Sequence, residues 1–239
     1  MRRDACFVLL LISILVRPAH AEEPGFEIDP VADTAVVVLG LALAGGTEMV
    51  ARSGELGAVA PGPSDKLWGI DRWLVEREPS EAWRTATDVM VISAFAWGLT
   101  QPVLTGVDAG WEQGLSDGVL FLETGLLNWA LADVLKIAAR RPRPYTYRDC
   151  ADGCEPSDDT DSSMSFYSLH TALLAGMTAT ASSIAFRHDA DGWLPWVVLG
   201  VGSSLTGLVA VGRMMGLEHF PTDVLTGALV GTGVGLTGG

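Results

Sequence analysis

The stretch "EHFPTDVLTGALVG", residues 218–231, decides how the chain is read. Its proline, Pro221, stands two residues after a histidine. The residues after it, Val, Leu, Thr, Gly, Ala, Leu, Val and Gly, form a small and apolar helix. Asp223 sits at the mouth of that helix, and as a helix cap it would be unremarkable. Four residues before it stands His219. A carboxylate at that spacing can bond one imidazole nitrogen and leave the other free as a nucleophile. Just upstream, "VAVGRMM" ends another apolar run, and Arg213 leaves it. A cation, an imidazole and a carboxylate therefore gather where two apolar helices meet.

The rest of the chain fits that picture. Its 239 residues suffice for one sizeable domain. Hydrophobic residues make up 49%, and the mean hydropathy is +0.32, which points toward membrane helices. The formal net charge of −14, with no basic stripe, excludes a nucleic-acid surface. Apolar runs and breakers predict six helices, near 32–50, 86–106, 115–139, 168–187, 193–212 and 222–237. No strand-like alternation persists. The expected fold is an all-α helical bundle of about six helices, membrane-embedded, with its site at one end. A water-soluble bundle is the alternative. Glu123, Asn128 and Asp133 interrupt the third run and should face the bundle interior. The segment between the first two helices carries mixed charge and suits a short amphipathic helix at an interface. Several of the eight tryptophans fall near predicted helix ends, as in an aromatic belt.

The first 21 residues read as a signal peptide. A basic start, "MRRD", precedes the apolar "CFVLLLISILV", and "AHA" closes it with a small-x-small cleavage pattern. Cys6 leaves with it. Cys150 and Cys154 remain in the polar loop "RDCADGCEPSDDTDSS" and are disulfide candidates in an exported chain. A metal site or two free thiols are the alternatives, and no histidine lies in that loop.

Two further regions carry chemistry. "ADVLKIAARRPRPYTY" ends the third helix with Lys136, Arg140, Arg141 and Arg143, and Pro142 and Pro144 stiffen the backbone around Arg143. Rigidly held cations make a phosphate clamp. "SFYSLHTALLAG" opens the fourth helix. Ser165 or Ser168 could cap it, and His170 lies in its first turn, where free N–H groups favour anions. If consecutive helices run antiparallel, Lys136, Arg143, Ser168, His170, Arg213, His219 and Asp223 share one rim. Three cations and two histidines there form an anion site.

These residues resemble the motifs of the type 2 phosphatidic acid phosphatase superfamily, which includes lipid phosphatases, bacterial acid phosphatases and vanadium haloperoxidases. The first motif, Lys, six residues, Arg-Pro, matches Lys136 to Arg143-Pro144. The second, Pro-Ser-Gly-His, reads Tyr167-Ser168-Leu169-His170. The third, Ser-Arg, five residues, His, three residues, Asp, reads Gly212-Arg213, His219 and Asp223. The resemblance covers roughly residues 85–237. It departs at Tyr167, Leu169 and Gly212, which bear on rate and substrate range. It implies that His219 attacks phosphorus, Asp223 orients it, and His170 is the general acid and base. Lys136, Arg143, Arg213, Ser168 and the Leu169 N–H would bind the phosphoryl oxygens. Side chains supply the positive charge, so no metal or cofactor is expected.

The resulting expectation is a signal peptide over 1–21, an N-terminal helix and interfacial linker over 22–84, and a phosphatase core over 85–239. Its partners would be the membrane and a phosphorylated lipid or polyprenyl pyrophosphate, cleaved through a phosphohistidine. A soluble-substrate periplasmic acid phosphatase, a haloperoxidase and a non-catalytic anion-binding membrane protein are the alternatives. The expected location is the bacterial inner membrane with the site facing the periplasm, or the periplasm itself. The sequence does not fix the oligomeric state.

Overall fold

The computed structural model describes residues 28–148, 158–188 and 190–238. The expected leader, and the expected pairing of Cys150 with Cys154, lie outside the described residues. Seven α-helices and no strand are found among the described residues. They are α1 (Pro30–Arg52), the short α2 (Gly69–Arg72), α3 (Glu81–Asp108), α4 (Trp111–Ala139), α5 (Leu169–His188), α6 (Leu194–Met215) and α7 (Pro221–Gly238). The six expected helices are all present, and the charged linker supplies α2. Several begin or end outside the apolar run, because polar caps extend them. Asp29 accepts from Val31 N and Ala32 N ahead of α1, and Ser80 accepts from Trp83 N ahead of α3.

Among the described residues five segments are long and apolar enough to cross a membrane: α1, α3, Trp111–Tyr147 (which contains α4), α5 and α6. Their outward faces stay apolar, with Leu39, Ile92, Leu99 and Val201 all exposed. The bundle thus presents hydrocarbon to its surroundings, as a lipid-facing protein does. Trp68 and Trp73 are exposed near one end, and Trp111, Trp193 and Trp196 are exposed at the other. Trp97 and Trp129 are exposed along helix middles, so the belt is incomplete. The polar residues of α4 turn inward: Asp117, Glu123, Asn128 and Asp133 are all buried. Thr124 and Thr180 hydrogen-bond across α4 and α5 at 2.8 Å. Polar groups inside a bilayer-sized bundle need such partners.

The long helices alternate in direction. One end of the bundle therefore collects the C-termini of α1, α4 and α6 and the N-termini of α3, α5 and α7. The linker closes over this end. Thr160 Oγ1 donates to the Leu56 carbonyl, and Val59 N donates to Ser163 Oγ. Leu74 of the linker is fully buried with Leu217 and Phe220.

Helices α5 and α7 run parallel and form the closest pair. Their seam is a ladder of small residues at four-residue spacing. A Cβ on Gly227, Gly231 or Gly235 would fall inside van der Waals contact of the carbonyl oxygens of Ser168, Ala172 and Gly176 respectively. This approach fixes the start of α7, and so Asp223, against the start of α5. Gly231→Ala should force the helices apart and cost about 1–3 kcal/mol. Gly233 points into open space. Thermal unfolding in detergent should show a lowered transition for Gly231→Ala and none for Gly233→Ala.

Candidate active site

The turn between α6 and α7 builds the position of His219. Glu218 N donates to the Arg213 carbonyl at 3.0 Å and Leu217 N to the Met214 carbonyl at 2.9 Å. This pair of bonds is a Schellman cap, with Leu217 in the left-handed conformation (φ 56°) where glycine is usual. Burial of the Leu217 side chain against Leu74 and Phe220 offsets that cost. Gly216 is needed for space instead, since a Cβ there would lie 2.8 Å from Arg84 Cγ. The cap delivers Glu218 and His219 into the rim, both buried.

His219 Nδ1 lies 2.7 Å from the Ser165 carbonyl. A carbonyl only accepts, so Nδ1–H donates and the Nε2 lone pair is left available. Burial holds the imidazole pKa well below its ordinary 6.5, and Arg143, Arg213 and Lys136 push the same way. His219 is therefore neutral at physiological pH. The three expected cations thus lie within electrostatic reach of one ring.

Asp223 was expected to bond that ring directly. It occupies the third position of α7 and turns back, with Oδ2 accepting from Phe220 N at 2.8 Å and from Ser165 Oγ at 2.6 Å. It supports His219 through Ser165: hydroxyl to Asp223, carbonyl to imidazole. Its other oxygen meets Arg141 Nη1. Burial raises its carboxyl to about 6, against the opposing pull of Arg141.

Arg141 is the hub of this support. Besides Asp223 it bonds Thr222 Oγ1 at 2.7 Å and Asp71 Oδ2 at 2.8 Å, and its guanidinium lies 4.2 Å from the Phe220 ring centre. Asp71, on α2, also accepts from Thr222 N and Thr222 Oγ1. Asp71 and Asp223 are both fully buried.

His170 lies in the first turn of α5, and its Nε2 is 2.9 Å from Asp88 Oδ1 on α3. The same oxygen accepts from Arg213 Nη1 at 2.8 Å. Lys136 reaches Asp133 at 3.3 Å. Arg143 is buried and heavily engaged: Nε and Nη2 meet the Asp161 carbonyl and carboxylate, and Nη1 meets Glu218 Oε2. Ser168 serves as the cap of α5, with its Oγ accepting from Thr171 N and Thr171 Oγ1. Its oxygen thus serves the helix as an acceptor, while Leu169 opens the first turn, where N–H groups lack intrahelical acceptors.

The structure thus brings Lys136, Arg143, Arg213, His170 and His219 together at one end of the bundle, with Asp223 behind them. Sequence reasoning did not single out Ser165 as a link, nor Asp71, Asp88 and Glu218. Only the adjacency of Glu218 to His219 offered a local signal. Gly212 has a packing reason: a Cβ would press on Thr87 Cγ2 and lie 2.8 Å from Trp83 Cε3. Tyr167 is wholly buried, and its hydroxyl meets no partner among the described residues. Burial raises its pKa, so it stays a neutral phenol. Among the described residues no group of three or more His, Cys, Asp or Glu side chains is placed to hold a metal ion.

An all-helical, membrane-type bundle with an imidazole set among buried cations at one end defines a class of anion-handling membrane proteins. Within it the chain belongs to the PAP2 superfamily, whose profile matches residues 118–237. Among solved structures, a transmembrane PAP2-type phosphatidylglycerolphosphate phosphatase from Bacillus subtilis is similar over 85% of this chain and 92% of that one, at 19% identity and a TM-score of 0.48. No curated relative matches the chain.

Arg141→Met would leave Asp71 and Asp223 buried without their shared cation. Breaking such a pair should cost about 3–5 kcal/mol. Chemical unfolding of the detergent-solubilised protein would read it as a lowered midpoint.

Proposed function

We propose that the chain is a phosphatase acting on a phosphomonoester or pyrophosphate carried by a lipid, through a phosphohistidine. One observation carries the reading. His219 donates Nδ1–H to Ser165, which leaves a neutral Nε2 among Lys136, Arg143 and Arg213. A neutral imidazole is a nucleophile, and the surrounding cations suit a phosphoryl group.

In the first step Nε2 attacks phosphorus and the bond to the leaving oxygen breaks. His170 gives that oxygen its proton and becomes neutral. In the second step His170 takes a proton from water as the hydroxyl oxygen attacks the phosphohistidine. The P–N bond breaks, and orthophosphate and neutral His219 are regenerated. Asp88 holds His170 in place from Nε2. Lys136, Arg143 and Arg213 stabilise the equatorial oxygens. Asp223 and Ser165 keep the His219 ring in place. The lipid assignment rests on the position of the rim, at the ends of helices whose outward faces are apolar.

His219→Ala should reduce phosphate release from a short-chain phosphatidic acid in mixed micelles to background. His170→Ala should lower kcat by about 10²–10⁴-fold. Retained turnover in His219→Ala would refute the nucleophile assignment.

The acid limb of the rate profile has a defined source. Asp223 titrates at about 6, so lowering the pH through that value protonates it and loosens its hold on Arg141 and Ser165. His219, held well below 6.5, does not titrate there. Wild-type kcat/KM should fall below pH ~6. Asp223→Asn should be slower and should lack that limb. Profiles measured on one substrate separate this from the substrate's own ionisation.

A further inference from the structure

The phosphate cradle proposed above already holds an anion, and it belongs to the chain. Glu218, next to the nucleophile, is only 9% exposed. Its Oε1 accepts from Arg84 Nε at 2.6 Å. Its Oε2 meets Arg143 Nη1 and lies 3.4 Å from Arg213 Nη2. Arg143 and Arg213 are the two arginines that the phosphate reading needs. One donor of each, Arg143 Nη1 and Arg213 Nη2, is directed at the Glu218 carboxylate instead.

We propose that Glu218 is a built-in occupant of the phosphate site, one that the substrate's phosphoryl group must displace, and that it thereby selects dianionic phosphomonoesters over monoanionic diesters. This rests on the phosphatase reading and adds a specificity element to it. The exchange is chemically reasonable. A carboxylate offers two oxygens and one charge. A phosphomonoester dianion offers three terminal oxygens and a second charge. Arg213 Nε is buried and has no partner among the described residues, so the cradle holds a donor that Glu218 does not satisfy. A diester, with two terminal oxygens and one charge, gains nothing over the resident group.

The displaced carboxylate also has somewhere to go. A cavity of about 600 Å3 lies beside it, lined by Arg84, Arg148 and Tyr145 and also by the acids Asp159 and Asp161. Arg84 can keep its bond to Oε1 while Oε2 swings away from Arg143. The competing account makes Glu218 a strut that holds three guanidinium groups in place. The two accounts differ in sign. Removing a strut weakens anion binding, whereas removing an occupant tightens it.

The test is titration of orthophosphate, and separately of dimethyl phosphate, into the full chain in detergent micelles by calorimetry. Glu218→Gln should tighten orthophosphate by about tenfold or more, the scale of one released charge-assisted hydrogen bond. Glu218→Ala should move the same way. Dimethyl phosphate should not bind the wild type and should bind both variants measurably. Equal or weaker orthophosphate binding in folded variants overturns the proposal, and so does loss of folding in both, since each is what a strut predicts. The titration does not depend on turnover. A wild type that hydrolyses lipid phosphate, with variants that bind orthophosphate no tighter, defeats the occupant alone. An inactive wild type whose variants do bind tighter defeats the phosphatase reading alone.

Discussion

Two buried carboxylates, Asp71 and Asp223, face one guanidinium, and the rim is arranged around that contact. Arg141 reaches both aspartates and Thr222 at once and stacks its face on Phe220. An ammonium could not do this, because it is a point charge without a planar fork. The contact ties the linker to the end of α4 and to the first turn of α7. Asp223, held in this way, fixes the Ser165 hydroxyl, and the Ser165 carbonyl fixes His219. His219 is thus held by a relay that begins outside the segment matched by the family profile.

That relay explains what could and could not be read from the sequence. The six long helices were legible because runs of apolar residues ended at Gly, Pro and charge clusters. Convergence at one rim followed from short connections and alternating direction. The motif residues His170, His219 and Arg213 were legible by type and spacing. Asp71, Asp88 and Glu218 were not. In sequence each is one more acid in an acidic chain, and an exposed acid and a buried one look alike. Only the fold shows that Asp71 meets Arg141, 70 positions away. The spacing of His219 and Asp223 suggested a direct bond. The third position of a helix, however, turns its side chain back toward the preceding N–H, and that geometry prevailed.

The departures at Tyr167, Leu169 and Gly212 have different standing once the packing is known. At Gly212 the side chain is absent because α6 presses on Trp83 and Thr87 of α3. That close approach positions Arg213 to reach Asp88. The lost hydroxyl is a consequence of helix contact. Ser168 keeps its residue type, and its oxygen also accepts two bonds that cap α5, a use that type alone did not reveal. Nothing in the structure explains the buried, unpartnered hydroxyl of Tyr167.

Charge balance unites these features. A site that binds phosphate must concentrate cations, and at the end of an apolar bundle those cations lose much of their hydration. Uncompensated, each would be costly to bury. The rim answers with acids from every neighbouring element: Asp71 from α2, Asp88 from α3, Asp133 from α4, Asp161 from the loop before α5, and Glu218 and Asp223 around the α6–α7 turn. Under the proposed reading one of these acids, Glu218, lies where the substrate's phosphoryl group must come. The same rule that lets the empty site fold therefore obliges it to hold an anion of its own. Affinity for phosphate then depends on the difference between two anions in one seat, not on the number of positive charges around it.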